Sequence, residues 1–315
     1  MSELDHHSAL TNMSHGTITM IDRRQLLPAT YHFNPAIAAE CGSIWMVYRR
    51  VSPDEWLAGP RTLGLCRLGR DLQPIAESNV DLSAHINDPP GAHRWHADPR
   101  FFRRGRELWL SYHDNYSLFL TPIAPTQLGH TLRPRSVHLI GYSRRERERN
   151  WGFFDDGEFK AVYAIPSHIV LGLRDASTCF EASPLYHNKG PLPWDMTRWG
   201  EPHGGCMPVK VGSHWFSFFQ SATYDPATEH RHYHVGFYGF EAEPPHRIAY
   251  MSANPVLTAD RFPGARSFYK GWAVVYPSAS IFHENRWLVS LGIHDRELAL
   301  AIFHHDALLQ DCATL

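Results

Sequence analysis

The sequence predicts an all-β protein, a five-bladed β-propeller with antiparallel blades of three to four strands. Three observations lead there. A strand-like segment rich in Pro, Gly or aromatic residues recurs five times, each time followed after a polar turn by a strongly apolar strand. The intervening turns carry glycine, as hairpin connections do. No window of a dozen residues holds a clean 3.6-residue apolar stripe, so helices are expected to be few and short.

The leading segments span residues 33–38, 96–102, 149–154, 203–209 and 275–282, and their apolar partners 44–49, 108–113, 159–164, 214–219 and 286–291. Glycine-bearing turns join them, as at 40–43, 103–106, 155–158 and 211–213. A third strand follows at 63–68, 136–142, 169–173, 232–238 and 299–303. Antiparallel units recurring every 50 to 70 residues or so match radial blades better than a sandwich or a βαβ sheet. Residues 1–16 are polar and lack any period, so they read as a disordered tail, leaving 17–315 as a single propeller domain.

Composition narrows the function classes. A formal net charge of −2 gives no long-range field to gather nucleic acid or an anionic membrane, so any anion must be handled locally. Five scattered cysteines without a C-x-x-C pair argue against a disulfide framework or a structural zinc site, and fit a reducing compartment. No leader-like segment opens the chain and no run of about 18 apolar residues occurs, so a cytoplasmic location is expected. The 22 His, 10 Trp and 13 Tyr suit a polar, aromatic-walled pocket for a small molecule or oligosaccharide, although aromatic strands of a β core would use the same residues.

In a propeller the first strand of each blade faces a central channel, which would draw Asn34, Asp98, Asn150, His203 and Tyr276 toward one pocket. Asp98 leads as the chemical candidate, being crowded by Trp95, Phe101, Arg100 and two histidines just before a strand. Withdrawal from water would raise its pKa, and Arg100 and the histidines would lower it; an acid catalyst needs the first to win. Arg49, Arg50, Arg100 and Arg149 supply guanidinium forks for an anion, although exposed arginines also pair with acids. His168 and His203 fall where channel loops converge, and the run from His230 to His234 places His232 or Tyr233 in the pocket. No metal site is expected, since the histidine cluster lacks a carboxylate at fixed spacing.

Nucleotide-binding glycine loops, zinc-protease and serine-hydrolase motifs are all missing. Carboxylates, arginines, histidines and aromatics remain, the composition of a sugar or sugar-phosphate site. Glycosyl transfer with them requires one acid and, on the other face of the ring, a second carboxylate or a bound anion.

Asn34-Pro35-Ala36 with Tyr48-Arg49, Ala97-Asp98-Pro99-Arg100, Arg149-Asn150-Trp151 with Phe153, and Val275-Tyr276-Pro277 leading to Gly292-Ile293-His294-Asp295 resemble the blade signatures of glycoside hydrolase family 130. That family comprises five-bladed phosphorylases and hydrolases, with β-mannosyltransferases related to it. The resemblance implies an inverting enzyme on β-mannosides or similar glycosides, with inorganic phosphate, a sugar phosphate or a sugar nucleotide as co-substrate and no cofactor. It implies Asp98 as proton donor, working through a hydroxyl of the sugar itself while phosphate attacks the opposite face. Asn34, Arg49 and Asp295 match positions that hold the sugar, Arg149 stands where the family usually has lysine, and His and Tyr contacts to phosphate match His232 and Tyr233. Ala97 and the Gly204-Gly205-Cys206-Met207 run depart from the family pattern.

Two other readings stay open. A hydrolase of the arabinanase or invertase type would use three carboxylates, with Glu181 from the third unit as a candidate; Asn34 at the first-blade carboxylate position counts against it. A non-catalytic carbohydrate-binding propeller would have no buried acid facing an anion pocket. Homo-oligomerisation is compatible with all three.

Overall fold

Proline determines where the strands bend toward the site. In the computed structural model, which describes residues 11–13, 16–51, 61–93, 95–129, 131–143 and 148–315, the pairing register slips between Phe33 and Ala36 and again between Ala97 and Arg100. The residues before the two prolines, Asn34 and Asp98, take left-handed backbone angles, φ 49° and 48°. Asn and Asp tolerate that region better than other non-glycine residues, and proline cannot donate to the ladder, so it marks a bulge. The bulge re-aims Asn34 and Asp98 out of the regular alternation.

The chain forms five successive antiparallel meanders. The first comprises Tyr31–Glu40, Ser43–Val51, Thr62–Leu68 and Val80–Asp81. The second comprises Ala97–Arg104, Glu107–His113, Leu118–Pro122 and Arg135–Leu139, and the third Gly152–Asp155, Phe159–Ala164, Ile169–Asp175 and Cys179–His187. In the fourth, His203–Gly204 and Val209–Val211 both pair with His214–Asp225, followed by His230–Glu241 and Ile248–Ser252. The fifth has Val275–His283, Arg286–Ile293 and Glu297–His304, and its outer strand comes from the opposite end of the chain, Gly16–Met20. The two α-helices among the described residues, Met196–Trp199 and His305–Gln310, are short, as expected.

Three features differ from the sequence expectation. The second and third meanders are not separate sheets, because Arg135–Leu139 and Cys179–His187 pair in parallel and join them into one of eight strands. The leading strand of the fourth meander is interrupted, since Gly204 and Gly205 approach their neighbours too closely for a side chain. A Cβ on Gly204 would lie 2.0 Å from the Asn150 carbonyl oxygen, and one on Gly205 2.6 Å from that of Phe218. Thr11–Met13, within the stretch read as tail, pairs with Gly16–Met20.

Each meander packs on the next, and the fifth returns to the first. Phe102 meets Phe153 at 5.0 Å between ring centres, Phe154 meets Phe240 at 5.4 Å, and Phe218 meets Trp287 at 5.8 Å. The cycle closes where the Ser290 hydroxyl donates to the Pro35 carbonyl at 2.6 Å, pinning the first bulge. The seams are thus aromatic and close-packed, and the strands around the cycle are held in fixed relation to one another.

Candidate active site

A cavity of about 690 Å³ gathers residues from the first, second, fourth and fifth meanders and from Arg149 and Asn150, which lead into the third. Of the residues singled out in the sequence, Asn34, Arg49, Asp98, Arg149, Asn150, Tyr233, Tyr276 and Asp295 line it. Arg49, His113 and Asp295 reach it from the ends of second strands, and Asn34 and Asp98 from the bulges. Gly292 matters at this point: a Cβ there would meet Asn34 Oδ1 at 2.5 Å and its backbone nitrogen at 2.9 Å.

Asp98 is held as an anion. Its Oδ1 accepts from Asn34 Nδ2 at 2.7 Å and Arg49 Nη1 at 3.3 Å, and Oδ2 faces His113 Nε2 at 2.9 Å. The histidine tautomer follows from a further bond: the Asn115 amide donates to His113 Nδ1 at 3.0 Å, so the ring proton sits on Nε2 and is donated to Asp98. Burial pushes the Asp98 carboxyl upward, but His113, Arg49 and Arg100 outweigh it and hold it well below the usual carboxylate range. Of the two opposed effects burial is the weaker: four groups that prefer the anion converge on a side chain that is 13 % exposed. His113 is itself shifted down by burial, which opposes the pull of Asp98 and agrees with a neutral ring.

Asp295 lies in the same cavity with the opposite environment. Burial raises its carboxyl, with Asp98 adding to the effect, while Ser267, Arg49 and Arg296 oppose it. Its hydrogen bond comes from the Ser267 hydroxyl to Oδ2.

A cationic region completes the cavity. Arg149 makes no hydrogen bond or ion pair with the described residues, and Arg231 bonds Tyr233 while lying 4.9 Å over the Trp272 ring. Lys270 stands 3.9 Å from Glu229, and Arg61 stacks on Trp95 at 3.8 Å. The guanidinium of Arg149 in such a setting suits a phosphate-like anion.

Several expected site residues lie elsewhere. His168 is buried among Tyr238 and Phe240, with its ring pushed down to about 3 by burial, so it is a core residue. His232 points to the opposite side of its strand from Tyr233 and sits 3.7 Å from Asp260, as strand alternation requires. His203 lines a small adjacent crevice with Asn150 and Glu201. Arg100 lies behind the cavity wall, where it donates to Asn150 Oδ1 at 3.2 Å and bonds Tyr276, whose hydroxyl also donates to Asn150 Oδ1 at 2.7 Å. It therefore positions Asn150. Glu181 pairs with Arg174 on the outer face of the third meander, and Arg50 pairs with Asp81 at 2.7 Å.

Sequence reasoning missed His113 as the partner of Asp98, and Arg61, Arg231, Lys270, Tyr269 and Trp272 as lining residues. Two of these carried a signal. Arg231 is two residues from Tyr233 on one strand and so shares its face, and His113 occupies the strand-end position that Arg49 holds in the first meander. The 267–274 segment has no periodicity from which its placement could be read.

Among the described residues no group of three or more His, Cys, Asp or Glu could hold a metal ion, and no helix is long and apolar enough to cross a membrane.

No protein-family model matches the sequence, and no curated protein matches it. Solved structures do. A β-1,2-mannobiose phosphorylase from Listeria innocua superposes with a TM-score of 0.61 at 12 % identity, over 96 % of this chain and 94 % of that one. A structure from the GH130 family of mannoside phosphorylases, which contains hydrolases of β-1,2-mannosidic linkages in Candida mannan, gives 0.61 at 11 % identity, over 95 % and 97 %. A mannose phosphorylase from Leishmania mexicana, in complex with phosphate, gives 0.55 at 12 % identity, over 95 % and 89 %. Over nearly its whole length the chain is similar in fold to structures of the family whose motifs its sequence resembles.

Proposed function

We propose that the five meanders are the blades of a five-bladed β-propeller spanning residues 17–315, and that the protein is an inverting enzyme transferring glycosyl groups on β-mannosides or similar glycosides, with a phosphate-type anion as co-substrate. The observation that carries this reading is the presence, in one cavity, of a fixed carboxylate, Asp98, and of guanidinium groups with unfilled hydrogen-bonding capacity on Arg149 and Arg231.

The chemistry follows from the charges. In the direction of transfer to an acceptor, the Asp98 carboxylate takes the proton of the attacking hydroxyl, directly or through a hydroxyl of the donor sugar. The anomeric carbon–phosphate bond breaks on the opposite face, and the leaving phosphate keeps the bonding electrons beside Arg149, Arg231 and Tyr233. Inversion results, without a protein nucleophile. In the reverse direction Asp98 returns the proton to the glycosidic oxygen as phosphate attacks, which is the proton-donor role implied by the family resemblance. The ionised resting state favours starting in the transfer direction.

Hydrolysis is the second reading, favoured by the presence of Asp295 in the cavity beside Asp98, because an inverting glycosidase pairs a protonated acid with an ionised base. Incubation with a panel of β-mannosides, with and without inorganic phosphate, separates the two: phosphate-dependent release of a sugar phosphate supports phosphorolysis, and release of free sugar at a rate indifferent to phosphate supports hydrolysis.

A further inference from the structure

We propose that Asp295 works as a neutral carboxylic acid that keeps its proton through turnover and donates a hydrogen bond from Oδ1 to the bound sugar, leaving the proton transfer to Asp98. The proposal rests on the reading of the cavity as a glycosyl-transfer site and gives Asp295 a role in it.

The two carboxyl groups differ in what meets them. Three donors converge on Asp98, from Asn34, Arg49 and His113. Asp295 receives the Ser267 hydroxyl on Oδ2, and among the described residues no arginine, lysine or histidine lies within ion-pair distance of it. Among the described residues Oδ1 therefore has no donor to stabilise a negative charge there. The charged and titratable groups around it come from several elements: Arg49 of the first meander, Asp98 of the second, Tyr233 of the fourth and Arg296 of its own turn. His294, adjacent in sequence, is turned away, with Nδ1 accepting from the Val274 amide and Nε2 facing the Phe262 carbonyl.

Arg49 already has Asp98 as its ion-pair partner. Ionising Asp295 would add a negative charge that Asp98 opposes, with no cation within ion-pair distance among the described residues, and such conditions favour the protonated acid. Giving the proton to a leaving group would create that same anion. A retained proton avoids it and supplies a donor for a sugar oxygen, which Asp98, occupied as an acceptor, cannot provide.

Asp295→Asn reproduces a neutral acid, with a carbonyl to accept from Ser267 and an amide to donate. Asp295→Ala is expected to lower kcat/KM on the best mannoside by about a hundredfold, and Asp295→Asn to recover most of that loss, as befits one retained hydrogen bond. The wild-type profile falls on its alkaline side as Asp295 ionises, and the Asn variant lacks that limb. Ser267→Ala, which removes the one donor that stabilises the anion, moves the limb to higher pH. Infrared difference spectra give a readout independent of turnover: subtracting Asp295→Asn from wild type at neutral pH leaves the stretch of a protonated carboxyl, and subtracting Asp98→Asn leaves a carboxylate. Absence of the protonated band overturns the proposal, as does an Asn variant as inactive as the Ala variant. A protonated band in a protein that turns over no mannoside upholds the protonation of Asp295 and overturns only the proposed reaction.

Discussion

His113 donates its Nε2 proton to Asp98 Oδ2 at 2.9 Å, and the Asn115 amide on Nδ1 leaves that proton nowhere else to sit. A strand end in the second meander thereby fixes the charge of a residue on the bulge of its neighbouring strand. Replacing His113 with Ala removes one donor to an anion, an interaction worth about 1.5–3 kcal/mol. Asp98 binds its proton more readily in that variant. The acid limb of kcat/KM in the transfer direction moves to higher pH, because the working form is the carboxylate. A pH–rate profile of His113→Ala against wild type measures the shift.

Gly292 leaves room for Asn34, and a methyl group there has to displace it. Overpacking of this kind costs roughly 1–3 kcal/mol. Gly292→Ala is expected to lower the thermal midpoint and, by moving the Asn34 amide off Asp98, to lower kcat further than Asn34→Ala lowers stability. Paired calorimetry and turnover assays on the two variants check this.

Arg149 and Arg231 act on the anion. Truncating either to Ala removes charge-assisted hydrogen bonds worth about 1.5–3 kcal/mol, so the KM for inorganic phosphate rises by roughly ten- to a hundredfold while the thermal midpoint stays within a degree or so. Lys270, paired with Glu229 at 3.9 Å, is expected to matter less. Initial rates at varied phosphate measure all three.

Stability also depends on pH through the two carboxyls, with opposite signs. The folded-state pKa of Asp98 is depressed, so its contribution is present above about pH 4, the unfolded value, and is lost as the pH falls through its folded pKa. That of Asp295 is raised, so its contribution is present below about pH 4 and is lost as the pH rises toward its folded pKa. Asp295→Asn is therefore expected to be more stable than wild type at neutral pH, with the difference vanishing on acidification below about pH 4. Thermal melts of both proteins across that range check the sign.

The sequence supported the repeat and much of the site because both rest on local chemistry. Asn34-Pro35 and Asp98-Pro99 mark the bulges, and the apolar runs mark the strands beside them. What it could not supply depends on approach between distant segments. The closing strand Gly16–Met20 is identified only by its partner Glu297–His304, and the parallel seam of the second and third meanders by the meeting of two edges. His168 looked like a site residue because it ends a loop, yet aromatic packing from the fourth meander claims it for the core. The charge of Asp98 stayed open for the same reason, since burial and Arg100 act on it in opposite directions and the donor that tips the balance, His113, arrives from another strand.

The most direct measurement follows phosphorus by NMR while the protein acts on a β-mannoside in phosphate, using wild type and Asp98→Asn. The wild type is expected to form the α-configured sugar 1-phosphate, and the variant to form it about a hundred to ten thousand times more slowly, the range for losing a proton-transfer group. Turnover that is indifferent to phosphate and leaves Asp98→Asn fully active would contradict the role assigned to Asp98.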